Sequence, residues 1–372
     1  MRTIEARNMV LGWLYRTLLK PIFFIFDPER VHEGMIRFGT VLGSFRLTRF
    51  ITSLLFASPN DPMLRQVFMN VVFENPIGLS GGFDKNAVTT RIMPEVGFGF
   101  MEVGSVTARA YEGNPGKHLW RMPASRALVI NYGLKNIGAE AISRKLDRQI
   151  FDIPVSINIA KTNCRETNDV AIGIADYVET FKKFLDIASF FTINISCPNV
   201  TSGQPFHEPE NLNRLLIALD AVPTEKPIFI KISPDLTREQ LDKILDIASQ
   251  HHVDGFVCTN LSKRRDLATI NPKDFVPGVG GISGKVVEPL TDEQIAYVYR
   301  RSQGRFLIIG VGGIFSAEDA YRKIRLGANL LELITGMIYQ GPQLMSEIQL
   351  GLVQLLKKDG FTHVSQAVGI DT

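Results

Sequence analysis

A closed parallel (β/α)8 barrel, the TIM-barrel class of α/β fold, with an N-terminal amphipathic helical extension is the architecture this sequence predicts. Three observations carry it. Short apolar runs alternate with longer helical patterns from about residue 70 onward, eight such runs occur, and each ends in polar or glycine residues. Strand–helix alternation on this scale suits a closed barrel better than an open sheet, and a barrel collects its working side chains at the carboxyl ends of its strands.

The front end comes first. Residues 8–26 (NMVLGWLYRTLLKPIFFIF) are interrupted by Arg16, Lys20 and Pro21, so no run of about 20 apolar residues spans a bilayer, and no small-residue cleavage site follows. Glu5, Asn8, Gly12, Arg16 and Lys20 recur at helical spacing opposite Val10, Leu14, Leu18 and Ile22. Asp27-Pro28 reads as an N-cap with proline at the first helical position. The next helix places Val31, Met35, Phe38 and Leu42 on one face, and apolar residues continue to the Ser58-Pro59-Asn60 break. Two readings stand: short amphipathic helices lying on a membrane surface, or a helical cap packed on the main domain. Residues 1–58 thus form one region and 59–372 the barrel.

The eight apolar runs are Ile77–Leu79, Phe100–Val103, Val155–Ile159, Phe191–Ile195, Ile228–Ile232, Gly255–Cys258, Leu307–Ile309 and Leu330–Leu333. Helical patterns fall at 133–149, 170–187, 208–221, 237–251, 290–301 and 316–326. The strand ends carry Ser80-Gly81-Gly82, Gly104-Ser105, Lys161, Asn194, Lys231, Thr259-Asn260, Gly310 to Gly313, and Thr335-Gly336.

The glycine clusters bear on the main alternative, a doubly wound dinucleotide-binding sheet. Gly310-Val311-Gly312 would need glycine at 315, where Phe315 stands, and Gly278-Val279-Gly280 would need it at 283, where Ser283 stands. Neither fits G-x-G-x-x-G or a P-loop. Such glycines suit a phosphate held by backbone N–H groups after late barrel strands, or simply tight turns.

Composition narrows the function classes. The 372 residues are 45% hydrophobic and 21% charged with a net charge of +3, which excludes a disordered chain and argues against a nucleic-acid binder. Residues 1–50 hold eight Lys/Arg against four Asp/Glu, a basic front end suited to an anionic surface. Three scattered cysteines form neither a disulfide framework nor a metal motif. Cys258 lies within an apolar strand and reads as core. Cys164 sits in a loop. Cys197, between Ser196 and Pro198 just past a strand, is the one placed for chemistry. His207 reads as solvent-facing, and residues 200–209 as a water-excluding lid.

At these positions the sequence resembles the dihydroorotate dehydrogenases. Asn75-Pro76-Ile77-Gly78-Leu79 runs into Gly82-Phe83-Asp84-Lys85, followed by Gly97-Phe98-Gly99-Phe100 and Glu102-Val103-Gly104-Ser105-Val106-Thr107. Asn194-Ile195-Ser196-Cys197-Pro198-Asn199, Lys231-Ile232-Ser233-Pro234-Asp235-Leu236 and Gly310-Val311-Gly312-Gly313-Ile314 continue the pattern in family order, from about residue 27 to 345. The resemblance implies an FMN-dependent barrel that oxidises dihydroorotate to orotate in pyrimidine biosynthesis. It implies FMN contacts at Gly81, Gly82, Ser105, Asn158, Asn194, Lys231, Thr259, Gly284, Gly313, Thr335 and Gly336. Lys85, Asn131, Asn194, Asn199 and Asn260 would hold the substrate, and Cys197 would be the catalytic base. The chemistry suits these residue types: a base takes a proton on one ring face while a hydride leaves on the other, and lysine with asparagines recognises a carboxylate and amide edges.

The pattern is mixed. Phe26-Asp27-Pro28-Glu29-Arg30-Val31-His32-Glu33 and Glu112-Gly113-Asn114-Pro115 resemble the membrane-associated, quinone-reducing class, with Arg121 at a quinone-tunnel position. Cys197 belongs to the soluble class; a thiol, with a reference pKa of about 8.5, is expected to reach its thiolate near neutrality. The Asn131-Tyr132-Gly133-Leu134-Lys135-Asn136 loop is one residue short, and Leu261 and Ile334 replace polar residues. The expectation is a peripheral membrane enzyme at the cytoplasmic face of a bacterial inner membrane that reduces quinone, with no metal and no nucleic acid. A related cyclic amide such as dihydrouracil, fumarate as acceptor, or a non-catalytic membrane-docked barrel are the alternatives.

Overall fold

A computed structural model describes residues 2–200 and 203–372 of the chain. At the front, helix α1 (Arg2–Leu14) passes through a π-helical turn at Tyr15–Leu19 into α2 (Lys20–Ile25). The chain then bends by 119° into α3 (Pro28–Ser44), followed by α4 (Arg46–Phe56). The bend has a local cause: the Asp27 side chain accepts from the backbone N–H groups of Glu29 and Arg30 at 3.0 and 3.2 Å, and Pro28 opens the new helix.

Next comes a hairpin of β1 (Gln66–Phe68) and β2 (Val71–Phe73), then barrel strands β3 (Ile77–Leu79) and β4 (Phe100–Val106). Strands β5 (Leu119–Met122) and β6 (Ala127–Ile130) leave the barrel as a second hairpin. The barrel resumes with β7 (Val155–Ile159), β8 (Phe190–Asn194), β9 (Ile228–Ile232) and β10 (Gly255–Cys258). Strand β11 (Gly281–Gly284) pairs antiparallel with β6, after which β12 (Leu307–Val311) and β13 (Leu330–Leu333) complete the chain's sheets. The closed order is β10-β12-β13-β3-β4-β7-β8-β9, every pair parallel. The eight expected strands are the eight found. The β5–β6–β11 sheet was not expected. The helix anticipated over 133–149 is confined to Ala139–Leu146, because Gly133, Leu134 and Gly138 all have positive φ and cannot continue a right-handed helix.

Alternation along each strand decides what fills the barrel. Phe100, Glu102 and Gly104 share one face of β4, as do Phe190, Thr192 and Asn194 on β8, Phe229 and Lys231 on β9, and Leu330 and Glu332 on β13. Phe100, Phe190 and Phe229, with Phe73 from the first hairpin, form an aromatic plug whose ring centroids lie 5.4–6.0 Å apart. It closes the amino end, so the polar residues one and two steps along each strand sit at the carboxyl end. Outward residues such as Met101, Ile157, Phe191 and Ile193 pack with the surrounding helices in the main core.

The first helix packs by its polar side. Asn8 is 2% exposed and donates from Nδ2 to Ser346 Oγ at 2.9 Å, and Tyr15 donates to the Ile338 carbonyl at 2.8 Å. Gly12 is buried as well. Val10, Trp13, Leu18, Ile22 and Ile25 all face outward. Seventeen of the 27 exposed large apolar side chains among the described residues lie between Met9 and Leu55. That inverts the pattern of a helical cap packed on a core. No single helix among the described residues is long and apolar enough to cross a membrane.

Candidate active site

An open cavity of about 1290 Å3 lies at the carboxyl ends of the strands, beneath the β5–β6–β11 sheet. Lys85, Asn194, Cys197, Asn199 and Asn260 line it, and so do Gly81, Gly82, Ser105, Asn158, Lys231, Thr259, Gly284, Gly313, Thr335 and Gly336. Leu261 and Ile334 face it too. Asn131 and Arg121 do not line it.

Its floor is a buried ionic cluster. Nζ of Lys231 lies 2.8 Å from Glu102 Oε2, 3.5 Å from Glu332 Oε2 and 3.3 Å from Ser80 Oγ. Glu102 Oε2 also accepts from Gly81 N–H and Asn158 Nδ2, both at 3.1 Å. Burial alone would strip the ammonium of its proton, but the two carboxylates outweigh it and hold Lys231 above its ordinary value. Glu332 is pushed up to about 8 by burial and by Glu102, against the pull of Lys231.

Above the floor runs an amide network. Ser105 Oγ donates to Asn158 Oδ1 at 2.5 Å and accepts from Asn194 Nδ2 at 2.9 Å. Asn194 Oδ1 accepts from Asn260 Nδ2 at 3.0 Å and from the Ser196 backbone N–H at 3.2 Å. Strand register sets this proximity, since Asn194 lies opposite Lys231 and Gly104 opposite Asn158. The Ser196 bond carries the network to the loop of Cys197.

Burial pushes the Cys197 thiol up to about 11, opposed by a hydrogen bond from the Asn199 backbone and by Lys263 and Lys161. This corrects the expectation of a thiolate near neutrality, because desolvation outweighs the cations. Lys85 sits 3.9 Å from the centroid of the Tyr132 ring and 3.5 Å from Nε2 of His32 on α3. Burial pulls its ammonium down to about 8, against the opposing charge of Asp84. Burial also drives His32 down to about 3, so its imidazole is neutral.

Glycines shape the remaining walls. Gly82, at φ +101°, has open space where a Cβ would stand, so any side chain there would project into the room beside it. Gly336 lets its backbone approach the Ile314 carbonyl so closely that a Cβ would meet the oxygen at 2.0 Å.

Asn131 stands behind the cavity wall, where its Oδ1 accepts from Asn114 Nδ2 at 3.1 Å. Arg121 lies in a second cavity, of about 790 Å3, with Phe24, Ile25, Phe26, Trp120 and Phe275. Its guanidinium is 4.5 Å from the Phe24 ring centroid and donates to the Phe26 carbonyl at 2.8 Å. His207 is buried rather than solvent-facing, and burial pushes it down to about 4. Of the expected lid, Thr201 and Ser202 fall outside the described residues; Gln204 ties its flank down by donating to the Ser196 carbonyl at 2.7 Å. Cys258 is core. Glu102 and Glu332 escaped the sequence reading although each is a carboxylate inside an apolar strand. That placement is itself the signal, because a charge there must face a buried partner.

A sequence model of the family described as dihydroorotate dehydrogenase matches residues 63–356. The chain is 38% identical to a protein of Acaryochloris marina (strain MBIC 11017) named dihydroorotate dehydrogenase (quinone), over 96% of this chain and 99% of that one. Its identity to the protein of the same name from Rippkaea orientalis (strain PCC 8801 / RF-1) is 39%, covering 95% and 99%. The crystal structure of Eimeria tenella DHODH in complex with ferulenol superposes with a TM-score of 0.82 at 26% identity, covering 93% of this chain and 96% of that one.

Proposed function

Because the chain belongs to the dihydroorotate dehydrogenase family, we propose that it oxidises dihydroorotate to orotate in pyrimidine biosynthesis and passes the electrons to a quinone. The observation that carries this reading is the convergence of Cys197, Lys85, Asn194, Asn199 and Asn260 on one cavity above Lys231. The quinone in the names of its relatives and the outward apolar face of the extension support the acceptor.

FMN suits this cavity. The Ser105 hydroxyl, the Asn158 and Asn194 amides and Lys231 match the carbonyl-rich edge of a flavin ring, and Gly81, Gly82, Gly284, Gly313 and Gly336 bring backbone to the cavity wall at the strand ends. When bound, FMN supplies the hydride acceptor. Lys231, held charged by the Glu102 carboxylate and its hydrogen bond to Glu332, offers positive charge where negative charge develops. Lys85 binds the substrate carboxylate, and the asparagines orient the ring through paired donors and acceptors. Cys197 Sγ takes the ring proton from the opposite face. The substrate brings the loop its own polar groups and excludes water.

Residues 1–58 then act as the membrane-associating and quinone-admitting region, with Arg121 at its mouth, and residues 59–372 as the catalytic barrel. The extension lies on the surface of a bacterial inner membrane from the cytoplasmic side. Purified protein assayed with dihydroorotate and, in turn, ubiquinone, menaquinone, fumarate and NAD tests the reading. It expects a yellow protein whose released cofactor has the mass of FMN and which turns over fastest with a quinone. A colourless protein, or preference for dihydrouracil, overturns it.

A further inference from the structure

Besides His32, which meets Lys85 directly, the extension touches the barrel side of the pocket through a second histidine. His118, just before β5, directs Nδ1 to Glu29 Oε1 on α3 at 2.7 Å and Nε2 to the Asn114 carbonyl at 2.5 Å. A backbone carbonyl only accepts, so Nε2 carries hydrogen and donates to Asn114, which leaves Nδ1 paired with the Glu29 carboxyl group. The same ring stacks on Tyr132 at 5.0 Å, with the planes 18° apart. Tyr132 is the ring beneath Lys85.

Asn114 passes the contact on. Its Oδ1 accepts from Tyr111 Oη and Asn163 Nδ2, while Nδ2 donates to Asn131 Oδ1 and to the Asn199 carbonyl at 3.1 and 2.9 Å. Every position of the amide is used, so its orientation has no freedom. Gly133 makes room for it, since a Cβ there would meet Asn114 Oδ1 at 2.2 Å. Asn131 in turn donates its backbone N–H to the His118 carbonyl at 2.7 Å.

We infer that Glu29, His118 and Asn114 form a positioning chain through which the N-terminal extension orders the substrate asparagines and the loop of Cys197. Docking of the extension and affinity for the substrate are therefore linked. None of the three touches the reacting atoms. Their effect is to hold Asn131, Asn199 and, through the Tyr132 ring, Lys85 in the arrangement that receives a planar carboxylated ring. The inference rests on the dihydroorotate reading above.

The test uses the full-length flavin-loaded protein and orotate as the probe, followed by perturbation of the flavin absorbance. Glu29→Ala and His118→Ala each raise the orotate Kd by about tenfold, within the usual range for coupling between sites. The double variant is no weaker than either single one, because both break the same chain. Glu29→Gln, which keeps the shape of the side chain, serves if Glu29→Ala fails to fold. In histidine-15N spectra, the His118 signal, assigned by its loss in His118→Ala, shifts in Glu29→Gln because the partner of Nδ1 has changed. Unchanged orotate affinity in the single variants, losses that multiply in the double variant, or a His118 signal that Glu29→Gln leaves unmoved each overturns the inference. Failure of the dihydroorotate reading looks different: the wild type itself then has no affinity for orotate.

Discussion

Nζ of Lys231 and Oε2 of Glu102 lie 2.8 Å apart in the middle of the barrel, with neither side chain appreciably exposed. A second carboxylate, Glu332, shares the same ammonium at 3.5 Å. Two carboxylates and one ammonium would leave a net negative charge without solvent, so Glu332 keeps a proton up to about 8.

The stability of the protein should therefore fall with rising pH through this group. A carboxyl whose value is raised on folding stabilises fully below its ordinary value and loses that contribution as pH rises through about 8. Calorimetric melts between pH 5 and pH 9 should show the Tm of the wild type dropping relative to Glu332→Gln, which cannot ionise. Parallel curves would remove Glu332 as the titrating group.

Cys197→Ala should lower kcat for dihydroorotate by roughly 10²–10⁴-fold, the usual contribution of a positioned base, while the bound cofactor remains. Since burial places the thiol near 11, wild-type kcat should climb with pH across the neutral range. Stopped-flow flavin reduction measures both; undiminished reduction in the variant would dismiss the base.

Lys85 works in the opposite direction. Its ammonium persists below about 8, so KM for dihydroorotate should worsen as pH rises past that value while kcat is still rising. Loss of a charge-assisted hydrogen bond, about 1.5–3 kcal/mol, predicts that Lys85→Ala raises KM by roughly tenfold or more. An unaltered kcat/KM would place the substrate carboxylate elsewhere.

The outward face of the extension should bind lipid. Val10 and Leu18 are each more than half exposed, so replacing both with Glu leaves the barrel's melting temperature nearly unchanged. Each buried aliphatic side chain is worth about 1.5–3 kcal/mol, so partitioning onto phosphatidylglycerol vesicles should weaken by at least about tenfold, and quinone reduction with it. Co-sedimentation equal to the wild type would mean that this face does not meet a membrane.

The sequence by itself determined the eight-stranded barrel, the Asp27–Pro28 corner and the residues gathered at the strand ends, because strand alternation, capping and turn chemistry are local. The apolar runs place Asn194 and Lys231 at strand ends before any fold is known. Tertiary structure alone decided which side of the first helix meets the barrel, that Glu102 and Glu332 share one lysine, and that Glu29 on α3 reaches His118 and so the Asn199 loop. It also set the half-buried Cys197 against the cavity wall, where desolvation holds its thiol up to about 11. Charge pairing and desolvation depend on distances between segments tens to hundreds of residues apart, and those distances exist only once the barrel has closed.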